Sequence, residues 1–215
     1  MDDPVLSPAE YEKVLADLGR VNRWTLTARP TLNFLKRGTA GAKTFSLLDV
    51  GFGEGGMLRT IASWARARGI EAQLTGVDLN PKSAAAARAA TPPEVTIDWR
   101  TGDYRNLGNF DFVVSSLVAH HMTGDQLRAF LTWMEANATR GWLVNDLHRH
   151  RFAHAGYPLL ARLLGVHRIV REDGQLSIAR AYRPAEWRHI LEEAGIEGAQ
   201  VVRRFPFRLC VERLR

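Results

Sequence analysis

Apolar positions along the chain alternate between two rhythms. Short apolar runs at 44–50, 72–78, 94–99, 110–117 and 141–147 read as strands buried on both faces. Longer segments at 55–68, 81–90 and 125–138 carry helical spacing, and in the last of these Leu127, Phe130, Leu131 and Met134 form one stripe. The alanine run Ala84–Ala87 is a good helix former and no more. Strand–helix alternation of this kind predicts an α/β fold, a parallel sheet with helices on both faces. In such a sheet ligands bind beyond the carboxyl ends of the strands.

Other patterns flank this core. Upstream, Tyr11, Val14, Leu15 and Leu18 fall on one helical face, and Ser7-Pro8-Ala9-Glu10 forms a capping box with proline at the first helical position. Pro30 should divide this helix from a second at 31–35, with a loop at 37–41. Residues 1–40 then form a helical cap able to fold as a lid over a core spanning 41–215. Within that core, about 151–180 is an insertion with an apolar helix at 157–164. A helix follows at 182–195, its Trp187, Ile190 and Leu191 facing inward and Gly195 stopping it. Two last strands, 200–205 and 208–214, are joined only by Pro206-Phe207, which enforces an antiparallel pair. The expected fold is therefore a Rossmann-like, seven-stranded, mostly parallel sheet with a reversed C-terminal hairpin.

Chemistry concentrates after the first run. Asp49-Val50-Gly51-Phe52-Gly53-Glu54-Gly55 follows it directly, and Asp78 ends the next. Glycines at 51, 53 and 55 let a strand turn sharply into a helix and let a ligand lie against bare backbone. A carboxylate at the tip of the second strand is placed to accept both hydroxyls of a ribose. Gly56 completes a dinucleotide fingerprint, but Asp49 would set a negative charge against a pyrophosphate. A nucleoside cofactor with a cationic, amino-acid-bearing tail suits that carboxylate better.

On these residues the chain resembles the class I S-adenosylmethionine (SAM)-dependent methyltransferases. Leu47 to Gly55 looks like their first motif and Gly76-Val77-Asp78-Leu79-Asn80 like their second. Gly102-Asp103-Tyr104 resembles the third, and Phe110 to Leu117 the fourth. The order holds from about residue 44 to the C-terminus. The resemblance implies that Gly51, Gly53 and Gly55 line the methionyl part and that Asp49 holds its ammonium. It implies Asp78 on the ribose, with a helix N-cap as the plainer role. Leu79 would pack on adenine, Asp103 after Gly102 would accept its amino group, and Tyr104 would flank its ring. Asp103 also reads simply as a turn residue. Ser116 and Leu117 would pass close to the sulfonium, and Phe52 stands where the family commonly has a smaller residue. The closest look is to the quinone-biosynthesis-type and polyketide-modifying branch.

Methyl transfer needs mainly alignment, because the sulfonium is already electrophilic. A base is needed only where the accepting atom must lose a proton, a task suited to histidine near neutral pH. His120 and His121, just beyond the fourth strand, and His148, beyond the fifth, are the candidates; packing or capping is their plainer role. Asp146-Leu147-His148-Arg149-His150 alternates on an extended strand and invites a metal reading. The carboxylates that metal-dependent relatives draw from several strand ends cannot be assembled, so no metal is expected. Asn145 and Asp146 are placed to hydrogen-bond a polar substrate instead.

Composition narrows the acceptor. The formal charge of +6 raises nucleic acid as a partner, yet the excess is arginine spread thinly through 215 residues, as GC-rich coding would give. Ser115-Ser116-Leu117-Val118 replaces the motif that base-methylating enzymes carry after the fourth strand. An apolar insertion and a helical lid suit an enclosed, largely hydrophobic small molecule, aromatic or quinone- or polyketide-like, methylated at oxygen or carbon. An RNA or protein methyltransferase and a non-catalytic SAM-binding partner protein are the alternatives. A nicotinamide reductase would want a Tyr-x-x-x-Lys that is absent. No apolar run approaches a membrane span, the N-terminus is acidic rather than signal-like, and a lone Cys210 fits a reducing cytoplasm.

Overall fold

Seven strands alternate their side chains between two apolar layers, and that alternation fixes the architecture. The computed structural model describes residues 8–215, excepting the side chains of 8–13, 15 and 16. The strands are β1 (Thr44–Val50), β2 (Glu71–Asp78), β3 (Asp98–Thr101), β4 (Phe110–Ser116), β5 (Ala138–Leu147), β6 (Gln200–Arg204) and β7 (Arg208–Leu214). They form one sheet in the order β3-β2-β1-β4-β5-β7-β6, with β1 to β5 parallel and β7 antiparallel to both neighbours. This is the α/β sheet with a reversed final hairpin that the sequence predicts.

Among the described residues eight α-helices connect and cover the strands: α1 (Pro8–Trp24), α2 (Ala28–Gly38), α3 (Gly56–Arg66), α4 (Pro81–Ala89), α5 (Gly124–Asn137), α6 (Arg151–Leu163), α7 (Arg168–Arg180) and α8 (Pro184–Glu193). On one face, Leu48, Val113, Trp142 and Val211 pack under Leu127, Phe130 and Met134 of α5 and Trp187 of α8. On the other, Phe45, Leu47, Phe112 and Leu143 pack under Phe34 of α2, Ile61 and Trp64 of α3 and Ala84 of α4. Neighbouring residues of one strand thus enter opposite cores, as a pleat requires.

A third apolar cluster lies apart from the sheet. Val14 and Val21 of α1 meet Ala161 of α6, Val170 of α7 and Val166 between those two helices. Asp17, 3% exposed, accepts the His167 backbone N–H at 2.8 Å and so ties α1 to the start of α7.

Several boundaries differ from expectation. Ser7, Tyr11 and Leu15 lie outside the described residues or side chains. The helices α1 and α2 part at Leu26, whose φ is +52°, and not at Pro30, which sits in the first turn of α2 where its missing N–H costs nothing. The third strand begins at Asp98 rather than 94, because β2 offers it partners only from Thr75 onward. The insertion holds two helices where one was expected: α6 starts at Arg151, before the expected 157, and α7 was not foreseen.

The turn from β1 into α3 depends on a glycine. Gly55 has φ +77° and forms the N-cap, and a Cβ there would lie 2.4 Å from the Trp99 ring. Gly55→Ala should therefore cost about 1–3 kcal/mol of stability, from left-handed backbone and overpacking together. A urea unfolding midpoint equal to that of the unaltered chain would show that Trp99 retreats freely.

Candidate active site

The parallel register brings the carboxyl ends of five strands side by side. Val50 pairs with Val77, Asp78 with Thr101 and Ser116 with Asn145. The turns leaving these strands therefore open along one edge of the sheet, the edge where ligands of such sheets bind.

The first turn is drawn tight against its neighbours. Gly51 donates its N–H to Val77 O at 2.8 Å, and a Cβ on it would meet Val118 Cγ2 at 2.5 Å. Its φ of +76° also calls for glycine. Gly53 donates to Asp78 Oδ2 at 2.9 Å, while Asp78 Oδ1 accepts from Asn80 N–H at 2.8 Å. Asp78 thus holds the β1 and β2 turns together, with lone pairs remaining on both oxygens. The helix cap falls to Asn80, which accepts from Lys82 N–H. A Cβ on Gly53 or Gly102 would meet nothing within 4 Å, so both border open space.

Behind this turn lies Asp49, 1% exposed, whose Oδ1 has no hydrogen-bond partner. Burial, and then the nearby Asp78 charge, push its carboxyl up to about 8. A buried acid so placed lacks a cation.

The remaining sequence candidates occupy varied positions. Leu79, 76% exposed, offers an uncovered apolar surface just past β2. Phe52 turns inward, its ring 4.8 Å from that of Trp99, so only its backbone borders the turn. Asp103 accepts the Arg105 backbone N–H at 2.9 Å and pairs with its guanidinium, which holds its carboxyl below the usual range. Tyr104 packs on Phe130 and Trp133 at 4.9 and 5.0 Å. Ser116 Oγ is buried without a partner, and Leu117 takes a left-handed φ of +63° while donating to Asn145 O.

Beyond the end of β4 a cavity of about 380 Å³ opens, walled mainly by apolar residues of α1, α6, α7 and the β6–β7 turn. Leu117, His120 and His121 line it from the β4 side, and Leu147 and Arg208 from the ends of β5 and β7. His120 is 6% exposed. Its Nδ1 lies 2.7 Å from Asp146 Oδ1, and its backbone N–H donates to Asp146 Oδ2 at 2.9 Å. Leu147 N–H adds a further bond to the same carboxylate at 2.6 Å. The His121 ring packs at a tilt against His120, centroids 4.1 Å apart, and burial foremost lowers its pKa, which keeps it neutral. His148 is not among the lining residues; burial, then Arg203 and its neighbours, lower its pKa, and its backbone bonds Phe207 O.

The structure gives Asn145 a role inside the protein. Its amide donates to Thr27 O at 2.7 Å, pinning the α1–α2 link over the end of β5. Asp146 likewise is held by His120, not left free for a substrate. Sequence reasoning missed Arg208, an arginine opening the last strand with nothing around it to mark it out.

The comparisons with known proteins agree with this geometry. Residues 47–141 match the family described as a methyltransferase domain. Among solved structures, the plantazolicin methyltransferase BpumL, in complex with a triazolic desmethylPZN analogue and SAH, superposes with a TM-score of 0.68 at 16% identity. That match covers 91% of this chain and 74% of BpumL. The magnesium protoporphyrin IX methyltransferase of Synechocystis PCC 6803, with bound SAH, gives 0.60 at 18% identity, covering 99% of this chain and 90% of that one. Residues 47–141 thus match a methyltransferase domain, and the fold is that of the class I SAM-dependent methyltransferases.

A SAM-dependent methyltransferase from Aquifex aeolicus extends the fold match, with a TM-score of 0.56 at 17% identity over 78% of this chain and 80% of that one. Curated protein sequences give no match. No helix among the described residues is long and apolar enough to cross a membrane. The residues of this methyltransferase domain suit its cofactor. The unpartnered Asp49 carboxyl is fitted to an ammonium, Gly53 and Gly102 leave room for a ligand against backbone, and Leu79 presents a face for a flat ring.

Proposed function

We propose that this methyltransferase domain methylates a small, largely hydrophobic, aromatic or quinone- or polyketide-like acceptor, and that the accepting atom is a hydroxyl oxygen. The observation that carries the reading is the apolar cavity beyond β4, lined by Leu117, whose neighbour Val118 sits against Gly51 of the glycine turn, and by His120, which is buried against Asp146. SAM, when bound, supplies an electrophilic methyl group. The chain contributes position, dryness and a proton acceptor.

Asp49, Gly51 and Gly53 hold the methionyl part, Asp78 the ribose and Leu79 the adenine. The helices α1, α6 and α7 act as the lid, in keeping with a cap at 1–40 and an insertion at 151–180. They close the cavity over the acceptor and exclude water, which strengthens every charge interaction inside.

His120 is the general base. The Asp146 carboxylate holds the proton on Nδ1, so Nε2 keeps its lone pair for the acceptor hydroxyl. An acceptor carbon would not require such a pair, and this favours oxygen over carbon. The restricted cavity likewise favours a small molecule over RNA or protein.

The test is labelled-methyl transfer from SAM into cell extract separated into small-molecule, RNA and protein fractions. Label is expected in the apolar small-molecule fraction. Label confined to RNA or protein would remove the small-molecule reading, and no label in any fraction would favour a non-catalytic SAM-binding role.

A further inference from the structure

Arg208 is 2% exposed, yet only one corner of its guanidinium is satisfied. Nη2 donates to the hydroxyls of Thr25 and Thr27 in the α1–α2 link. Nε and Nη1 are buried with no hydrogen-bond partner. No carboxylate among the described residues pairs with it. Asp146, which acts on it through space, already spends its oxygens on His120 and Leu147. Glu212, further along β7, is bridged to Arg37 and Arg204.

A guanidinium in this state is costly. Its charge calls for an anion, and leaving Nε and Nη1 bare inside a protein is strongly unfavourable. Burial drags its pKa down to about 10, which still leaves it charged at neutral pH. Arg208 lines the apolar cavity, among Leu117, Leu147 and Phe207. The other charged side chain there is Asp173 of α7, whose field falls on His121 and Tyr157.

We propose that the acceptor is a hydroxy acid, its carboxylate drawn to the incompletely paired guanidinium of Arg208 on the cavity wall and its hydroxyl turned to His120. This rests on the proposed methyl transfer and narrows its substrate class. The carboxylate is the handle and not the methylated group. A carboxylate is already deprotonated at neutral pH and would leave the His120–Asp146 pair without a task. In the transfer step the hydroxyl oxygen forms the new bond to the methyl carbon as the sulfur–carbon bond breaks. The hydroxyl proton passes to His120 Nε2, and the products are a methyl ether and S-adenosylhomocysteine.

The test uses the full chain, saturated with S-adenosylhomocysteine, titrated calorimetrically with hydroxyaromatic acids of one to three rings and with the primary amide of each. At least one acid should bind more than about tenfold tighter than its amide, the scale of a charge-assisted hydrogen bond. Arg208→Met should erase that preference while S-adenosylhomocysteine affinity stays the same. If no acid outbinds its amide, or the preference survives in Arg208→Met, the proposal fails. Should Arg208→Met not fold, the acid–amide comparison on the unaltered chain decides alone. A methyl ester as product would overturn the handle assignment. Acid preference without any labelled-methyl transfer would remove the methyl-transfer reading and leave the anion site standing.

Discussion

His120→Ala lowers kcat by about 10²- to 10⁴-fold while SAM affinity stays within about a factor of two. The separation follows from placement. His120 lies on the cavity wall beyond β4 and has no part in the glycine turn proposed to accept the cofactor. Asp146→Asn should lose a comparable amount, because an amide can donate to Nδ1, turning the imidazole to the tautomer whose Nε2 carries the proton. The asparagine oxygen in the place of Oδ2 still accepts from the His120 backbone N–H, while the Leu147 N–H, which bonds Oδ1, loses its acceptor. His121→Ala should cost far less, since that ring packs at a tilt against His120 and makes no bond to Asp146. Single-turnover methyl transfer with a hydroxyl acceptor measures all three. Full rate in both His120→Ala and Asp146→Asn would mean that the proton leaves to solvent, and the dyad would be structural.

What the sequence disclosed, and what it withheld, follows the range of the interactions involved. The strands β1 and β7 were legible to the residue, because their apolar positions enter the cores and their central residues pair with both neighbours. The glycine turn was legible because φ near +76° at Gly51 and Gly55 leaves sequence no alternative. The edge strand β3 was overextended: residues 94–97 carry strand-like side chains, but β2 pairs only with Asp98–Thr101. Nor does α7 announce itself. Its buried positions are Val170, Ser177 and Ile178, too sparse for a stripe, because much of its inner face borders the cavity rather than a core. The break at Leu26 is imposed from far along the chain, by Asn145 and Arg208 reaching Thr25 and Thr27. The His120–Asp146 pair was half visible. Both lay at predicted strand ends, but which acid met which histidine depends on side-chain direction across two strands. Arg208 could not be seen at all, since an orphaned donor exists only once the walls around it are built.

Asp49→Asn weakens SAM binding by about 10- to 100-fold near pH 8 and removes most of its pH dependence below that point. In the cofactor-free chain the Asp49 carboxyl titrates at about 8, against 3.8 for the ordinary group, from burial and then from Asp78. A folded pKa raised in this way means that the neutral form fits the fold. Its stability contribution is complete below pH 3.8 and is lost as pH climbs through about 8. On the proposed reading the cofactor inverts that preference, its ammonium supplying the cation the buried carboxylate lacks. Binding below pH 8 must therefore expel a proton, and affinity should rise as pH rises, by at most about tenfold per unit. Above about pH 8 the cofactor's α-amino group loses its own charge, so affinity passes through a maximum there. The asparagine variant keeps the shape and cannot ionise; its acid limb should be flat, and it should unfold at higher urea than the unaltered chain at pH 9. Calorimetry in two buffers of different ionisation enthalpy reads the expelled proton directly. An acid limb of equal slope in both proteins would take Asp49 out of the ammonium's reach, and the strongest link between this turn and its cofactor would be gone.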